Sequence, residues 1–121
     1  MEKHDLNEGT KHDGDKPRLD LIPAEFMFAL AEILTFGANK YAEWNWAKGI
    51  KYSRVFGALL RHLYAWWGGK SATTVSFLFG EIDSETGKSH LWHAACCIVF
   101  LVCYEEWRMV DFDDRFKPPS R

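Results

Sequence analysis

The sequence predicts an all-α domain, and three observations support that prediction. The chain has 121 residues, the size of one ordinary domain, and 47% of them are apolar, which is enough material for a core. Three segments place apolar residues three and four positions apart, the spacing that lines one face of a helix. No segment shows the strong alternation of apolar and polar residues that is typical of a half-buried strand. We therefore expect one helical domain over residues 1–121.

The first helix is expected to follow a charged, glycine-containing arm over residues 1–15. Pro23 suits the first turn of a helix, so the helix should begin there and end near Gly37 or Tyr41. Its apolar face would consist of Phe26, Leu30, Ile33 and Leu34.

The second helix is expected to begin at Ser53, because serine is a good N-cap, and to stop at Gly68 and Gly69. The preceding segment, "AEWNWAKGIKY", is predicted to be a loop because it contains Asn, Gly and dense aromatic residues. The main apolar stripe of this helix would consist of Val55, Leu59, Leu63 and Trp67.

The last long helix is predicted to begin after Ser89 as N-cap and to run to about Met109. It is apolar nearly all round up to Cys103, which is typical of a helix buried in a core or at an interface. Before it, residues 70–79 look like an insertion, and the stretch from 70 to 88 is equally compatible with a short strand, a hairpin or a loop. The polar segment 110–121 is expected to be a frayed tail.

Charge and composition exclude several classes of function. The formal charge is −2 and the pI is near 6.2, so the chain lacks the basic surface of a polynucleotide-binding protein. The longest apolar run, 91–103, is too short to span a bilayer, and the N-terminus lacks the apolar stretch of a secretion signal. Three unpaired cysteines within that run predict reduced, buried thiols. We expect a cytoplasmic protein without a membrane partner.

A cluster of acidic and imidazole side chains is the main candidate for chemistry. His90 and His93 lie one helical turn apart, so they project from the same face. Asp83 and Glu85 precede them in a turn that Gly87 makes tight. Carboxylate oxygens suit Mg²⁺ or Mn²⁺, and imidazole shifts the preference towards the softer ion. A solvated turn beside a helix start explains the same residues when each is considered alone.

Further polar residues could complete a site. His62 lies on or beside the apolar stripe of the second helix, where a polar ring needs a partner, and the neighbouring Arg61 suits a phosphate. A second group offers donors for phosphate or base edges, and its tryptophans offer flat rings for stacking. This group consists of Lys16, Arg18, Lys40, Asn45, Trp44 and Trp46. A loop held by buried tryptophans explains this second group equally well.

An ordered set of short motifs resembles the MazG-like dATP/dGTP diphosphohydrolases of bacteriophages. The motifs are "KPRLDLIP", "FGANKYAEWNWAKGI", "RHLYAWW" and "GEIDSETGKSHLWHAA", and the resemblance covers residues 11 to about 107. It implies an all-α fold related to MazG and the dimeric dUTPases, and a homo-oligomer, dimer or tetramer. It also implies conversion of a purine dNTP to dNMP and pyrophosphate by a water that Mg²⁺ or Mn²⁺ activates.

The resemblance assigns roles to individual residues. Asp83 and Glu85, with some of His62, His90 and His93, would hold the metal, and Glu81 or Glu32 would complete the metal shell or act as base. Arg61, Lys40, Lys16 or Arg18 would neutralise the departing pyrophosphate. The family's motifs also include Asn45 and Trp46 in the loop.

The chain departs from the family pattern in three places. It lacks the EExxE run of typical MazG proteins, and the two histidines at 90 and 93 stand where a Glu and an Asp are usual. Cys97 replaces a frequent Asn, and residues 70–79 appear inserted. Two other functions therefore stay open: a non-catalytic nucleotide-binding module on the same fold, and a phosphohydrolase that cleaves at a different phosphate.

Overall fold

Three long helices make up most of the fold in the computed structural model, which describes residues 8–68 and 82–120. We call them α1 (Ala24–Lys40), α2 (Tyr52–Gly68) and α3 (His90–Glu106). Short 3-10 helices occur at Leu19–Leu21, Asn45–Lys48 and Val110–Phe112. Within the two described ranges there is no strand, only one isolated antiparallel bridge between Ile82 and Ser89. The predicted all-α architecture is confirmed.

Helix α3 is the central element, because α2 packs along its length and α1 packs against it as well. The main core cluster joins Val55 and Leu59 of α2 to Ala94, Cys97 and Tyr104 of α3. A helix with neighbours on two sides needs more than one apolar face, which explains why the α3 sequence is apolar nearly all round.

The helix ends follow the signals in the sequence, except that α3 ends at Glu106, three residues before the predicted Met109, and that α2 begins early. Pro23 precedes α1, and the Ser89 side chain caps α3 by accepting a hydrogen bond of 3.1 Å from the Leu91 amide. Helix α2 begins at Tyr52, one residue before the predicted N-cap. Ser53 instead donates its backbone N–H (2.8 Å) and its hydroxyl to the carboxylate of Asp114.

The segment after α3 therefore does not fray as predicted. Val110–Phe112 forms a 3-10 helix, and Asp114 places its negative charge at the N-terminus of α2, where the helix dipole favours an anion. The guanidinium of Arg115 lies 5.8 Å from the centre of the Tyr52 ring. These contacts hold the segment after α3 against the start of α2. They join residues that are remote in the sequence, so local sequence patterns do not predict them.

An aromatic cluster anchors the loop between α1 and α2 on the central helix. The fully buried Tyr104 donates its hydroxyl to the backbone carbonyl of Trp46, with an oxygen–oxygen distance of 2.6 Å. The Trp46 ring is nearly parallel to those of Phe100 (4.7 Å) and Trp107 (5.6 Å). These two residues lie about 10 Å apart along the helix, so the indole is inserted between them.

Several apolar side chains predicted for the core lie on the surface instead. Leu63 and Trp67 continue the α2 stripe but are 37% and 81% exposed, and Phe26 of α1 is 50% exposed. Together with Ile98 of α3, the side chains of Phe26 and Leu63 line a groove of about 850 Å³ between the three helices. The sequence pattern identifies an apolar face correctly, but it cannot tell a face covered by the same chain from one left open.

No helix in the described ranges is long and apolar enough to cross a membrane.

We predict that Tyr104→Phe lowers the free energy of unfolding by about 1–2 kcal/mol, because the Trp46 carbonyl loses its buried donor. Urea denaturation followed by circular dichroism measures this change. The matched control is Tyr64→Phe, since Tyr64 is 63% exposed and should leave the stability unchanged. Equal stabilities for the two variants would contradict the anchoring role of Tyr104.

Candidate metal centre and adjoining cavity

A tight turn over residues 82–89 leads into α3 and carries the acidic residues of the candidate site. The Asp83 amide donates to the Lys88 carbonyl, and the Gly87 amide donates to the Asp83 carbonyl, both at 2.8 Å. Gly87 has φ of +72°, a left-handed conformation that glycine adopts without strain. The expectation that Gly87 tightens this turn is confirmed, and the 69–81 stretch before it lies outside the described residues.

The carboxylate of Asp83 organises this turn. Its Oδ1 accepts hydrogen bonds from the amides of Glu85 and Thr86, both at 3.0 Å, and from the Thr86 hydroxyl at 3.3 Å. Burial acts to raise the pKa of Asp83, but the Thr86 amide, the nearby His93 and the Glu85 amide together hold the pKa below its ordinary value. Asp83 is therefore an oriented, negatively charged group at neutral pH.

Three histidines meet beside this carboxylate. His62 comes from α2, and His90 and His93 come from the first turn of α3. The Nδ1 atoms of His62 and His90 are 2.8 Å apart, and the rings of His62 and His93 stack in parallel with centroids 4.7 Å apart. His93 Nε2 lies 2.7 Å from the Thr86 hydroxyl and 3.7 Å from Asp83 Oδ1.

The half-buried histidines are held in the neutral form. Burial, reinforced by His93 and His90, lowers the pKa of His62 to about 4. Burial also lowers the pKa of His93, although Asp83 acts in the opposite direction. A neutral imidazole has a free lone pair on one nitrogen, which is the form that binds metal ions.

The donor set fits a divalent metal ion. One ligand atom from each of His62, Asp83 and His90 can be chosen so that all three lie within 4.8 Å of one another. Two imidazole nitrogens and one carboxylate oxygen are a common ligand set for divalent ions, with positions left open for water or substrate. The sequence prediction of a metal site in this region is thus supported by the geometry of three of its five proposed ligands.

A cavity of about 670 Å³ opens beside the three histidines. Its walls come from the C-terminal half of α1, the aromatic loop and the turn, and His93 lies both in its wall and against the metal cluster. Five residues predicted as site residues line it besides His93, namely Lys40, Trp44, Asn45, Trp46 and Glu85. The fold therefore brings the acidic and histidine residues next to those of the aromatic loop, a proximity that the sequence alone did not predict.

Two ion pairs of opposite polarity connect the turn to α1. Lys40 Nζ of α1 lies 3.1 Å from both carboxylate oxygens of Glu85, and this contact raises the pKa of Lys40. Lys88 of the turn lies 3.0 Å from Glu32 of α1. Glu32 and Glu85 are thus engaged with lysines and stand apart from the His62, Asp83 and His90 group.

The tryptophans of the loop have different environments. Trp46 lines the cavity, but its ring stacks with those of Phe100 and Trp107, which leaves less of its surface for a ligand. Trp44 also lines the cavity, is 65% exposed and has φ of +61°. Such a conformation is uncommon for a bulky residue and is often found at functional sites.

Other predicted site residues are not brought to the cavity wall. Lys16, Arg18 and Arg61 are exposed and do not line it, and Arg18 pairs with Asp20 at 2.8 Å. Glu81 lies outside the described residues.

Sequence reasoning did not single out Thr86, which contacts both Asp83 and His93. A signal for it exists, because an Asp followed three residues later by Thr is typical of a turn closed by side-chain hydrogen bonds to the backbone.

We predict that the metal-free protein loses stability as the pH falls from about 6.5 to about 4. In this window the unfolded chain protonates His62 at its usual pKa of 6.5, whereas the folded chain holds that pKa near 4, so acid favours unfolding. Above pH 6.5 His62 is neutral in both the folded and the unfolded chain, so its contribution to the free energy of unfolding does not change with pH. Thermal unfolding at several pH values should show a shallower slope for His62→Gln and an unchanged slope for the exposed control His12→Gln. If the dependence of stability on pH is the same in His62→Gln as in the wild type, then His62 is not the source of the acid sensitivity.

Comparison with known proteins adds family evidence to this geometry. A family model described as "dATP/dGTP diphosphohydrolase, N-terminal" matches residues 6–115. A protein of Salmonella phage PMBT28 named dATP/dGTP diphosphohydrolase is 34% identical over 93 residues, which are 77% of this chain and 28% of that relative. The chain thus corresponds to a little over a quarter of that relative's length. No solved structure matches the chain significantly.

The family model covers almost the whole helical domain, including α1, α2, the turn and α3. The resemblance inferred from the short motifs is thereby confirmed, and the chain belongs to the dATP/dGTP diphosphohydrolase N-terminal family.

Proposed function

We propose that this chain hydrolyses a purine dNTP, dGTP or dATP, to dNMP and pyrophosphate with the help of a divalent metal ion, Mg²⁺ or Mn²⁺. The observation that carries the proposal is the junction of a metal-binding cluster with a cavity that holds a lysine and exposed aromatic rings. The name of the phage relative supports the choice of substrate. In a phage-infected cell this reaction would take place in the cytoplasm and would change the purine nucleotide pool.

The metal-binding residues would be His62, Asp83 and His90. A divalent ion bound there would polarise a phosphoryl oxygen and lower the pKa of an attacking water. The protein prepares this site by keeping the His62 imidazole neutral and the Asp83 carboxylate charged. His93 orients the cluster through its stack with His62 and its contact with Thr86.

Lys40 and Glu85 would act on the triphosphate and the water. Their ion pair is exposed and costs little to separate. An incoming triphosphate would draw Lys40 towards its negative charge, where the ammonium would neutralise the departing pyrophosphate. Glu85, freed from Lys40, would be a carboxylate in the cavity wall able to accept the proton of the attacking water. Lys16, Arg18 and Arg61 are additional exposed cations for the same phosphates.

The base would lie in the part of the cavity formed by the aromatic loop. Trp44 offers an exposed indole face, and the Asn45 side chain can donate to and accept from a purine edge. Trp46 would contribute its edge and the rigidity of its stack. The cavity of about 670 Å³ is in the range of small-molecule sites.

We also propose that the chain forms a MazG-like homo-oligomer, a dimer or a tetramer. The groove lined by Phe26, Leu63 and Ile98 is a large apolar surface for a chain of this size. Such surfaces usually mark an interface, and a second copy would bury it.

We predict metal-dependent conversion of dGTP or dATP to dNMP and pyrophosphate by the purified chain. Incubation with each dNTP and rNTP, with and without Mn²⁺ or Mg²⁺, followed by ion-exchange chromatography, identifies both products. Release of triphosphate or orthophosphate instead would indicate a different cleavage point. A folded, metal-loaded sample that binds dNTPs without turnover would indicate a nucleotide-binding module.

We predict that two substitutions separate metal chemistry from phosphate binding. Asp83→Asn should reduce kcat at least about 100-fold, because it removes the only charged ligand of the proposed set. Lys40→Ala should raise KM roughly tenfold through the loss of one charged contact to the triphosphate, and it should also lower kcat because the departing pyrophosphate loses its counter-charge. Lys48→Ala is the matched control, since Lys48 is exposed and does not line the cavity. Wild-type kinetics for Asp83→Asn would overturn the proposed role of Asp83.

A further inference from the structure

We infer that His62, His90 and Asp83 form a two-histidine, one-carboxylate site that selects a transition-metal ion such as Mn²⁺, Co²⁺ or Zn²⁺ over Mg²⁺. His93 is a positioning residue in this site, and neither His93 nor Glu85 is a ligand. The inference rests on the proposed function only in placing the ion at the same cluster, and it narrows the choice of metal ion.

The spacing of the two imidazole nitrogens is the first observation behind it. Two ligands at about 2.1 Å from one ion and at right angles are about 3 Å apart. The Nδ1 atoms of His62 and His90 are separated by 2.8 Å, and they belong to different helices. Without an ion, one ring must donate its proton to the other across this distance. The two nitrogens therefore face each other, and a rotation of the rings, with the donor's proton moved to its Nε2, would direct both lone pairs at one ion.

The chemistry of the donors is the second observation. Mg²⁺ prefers oxygen ligands in an octahedral arrangement and gives up its waters reluctantly. In the His62, Asp83 and His90 group, two of the three donors are nitrogen. Imidazole nitrogen suits transition ions, whose affinities generally rise from Mn²⁺ to Cu²⁺. The site thus disfavours Mg²⁺, which a site made only of carboxylates would accept.

The contacts of Glu85 and His93 are the third observation. Lys40 donates to both carboxylate oxygens of Glu85, so Glu85 faces α1. The Nε2 atom of His93 is already engaged by the Thr86 hydroxyl, and its ring covers one face of His62. A group that orients a ligand, as His93 orients His62, tunes metal affinity without binding the metal, and Glu85 is held by Lys40 instead.

Cobalt titration of the tag-free, metal-free protein tests the inference without any nucleotide. The visible absorption of Co²⁺ reports nitrogen ligation and gives an affinity, and Mg²⁺ competition gives the selectivity. We expect Co²⁺ binding that roughly a hundredfold excess of Mg²⁺ does not displace. Displacement by equimolar Mg²⁺ would overturn the inference.

Variants assign the ligands in the same titration. His62→Ala and His90→Ala should each weaken Co²⁺ binding at least about 100-fold and change the spectrum, whereas His93→Gln should weaken it roughly 10–100-fold with the spectrum retained. The Co²⁺ affinity of Glu85→Gln should stay within about tenfold of the wild-type value. The exposed control His12→Ala should have the wild-type affinity. Retained binding and spectrum in both His62→Ala and His90→Ala would overturn the ligand assignment.

NMR of the wild-type protein tests the same ligands without relying on variants that could fail to fold. Addition of Zn²⁺ should shift the NMR signals of the His62 and His90 side-chain nitrogens and leave those of His12 unchanged. Shifts confined to other histidines would contradict the inference. Specific Co²⁺ or Zn²⁺ binding without dNTP hydrolysis would overturn the proposed function alone, and hydrolysis supported by Mg²⁺ at an oxygen-only site would overturn the inference alone.

Discussion

The hydrogen bonds that converge on the Asp83 carboxylate are the interaction on which the site depends. They close the turn before α3 and place Thr86 where its hydroxyl meets His93. His93 in turn stacks on His62, so one side chain in a short turn determines how two helices present their imidazoles. Because these bonds favour the charged carboxylate, the same geometry keeps a negative charge beside the histidines.

The central position of α3 gives the site its electrostatic character. Packing α2 along α3 half-buries the imidazoles, and the resulting loss of solvation keeps His62 neutral. The other end of α3 holds the aromatic loop through Tyr104 and the Trp46 stack. One helix therefore carries two of the histidines and holds the aromatic loop, and the cavity between His93, Phe100 and Trp46 connects the two regions.

Local signals in the sequence predict the helices well, because Pro23, Gly68 and Ser89 act on their immediate neighbours. The charge of Asp114 at the start of α2 and the exposure of Leu63 and Trp67 depend on tertiary contacts, so periodicity alone cannot reveal them. Residue types and the family resemblance also predict the candidate metal residues. The pairing of Glu85 with Lys40 and the covered faces of Trp46 require the fold, since each depends on a partner remote in the chain.

We propose that the histidine cluster and the aromatic cavity form one nucleotide site. A crystal structure with Mn²⁺ and a non-hydrolysable α,β-imido analogue of dGTP, phased on manganese anomalous scattering, tests that claim most directly. We expect manganese density among His62, Asp83 and His90, with the phosphates beside it and the base near Trp44. Manganese at a different cluster, or a nucleotide bound away from this cavity, would contradict a single nucleotide site formed by the cluster and the cavity.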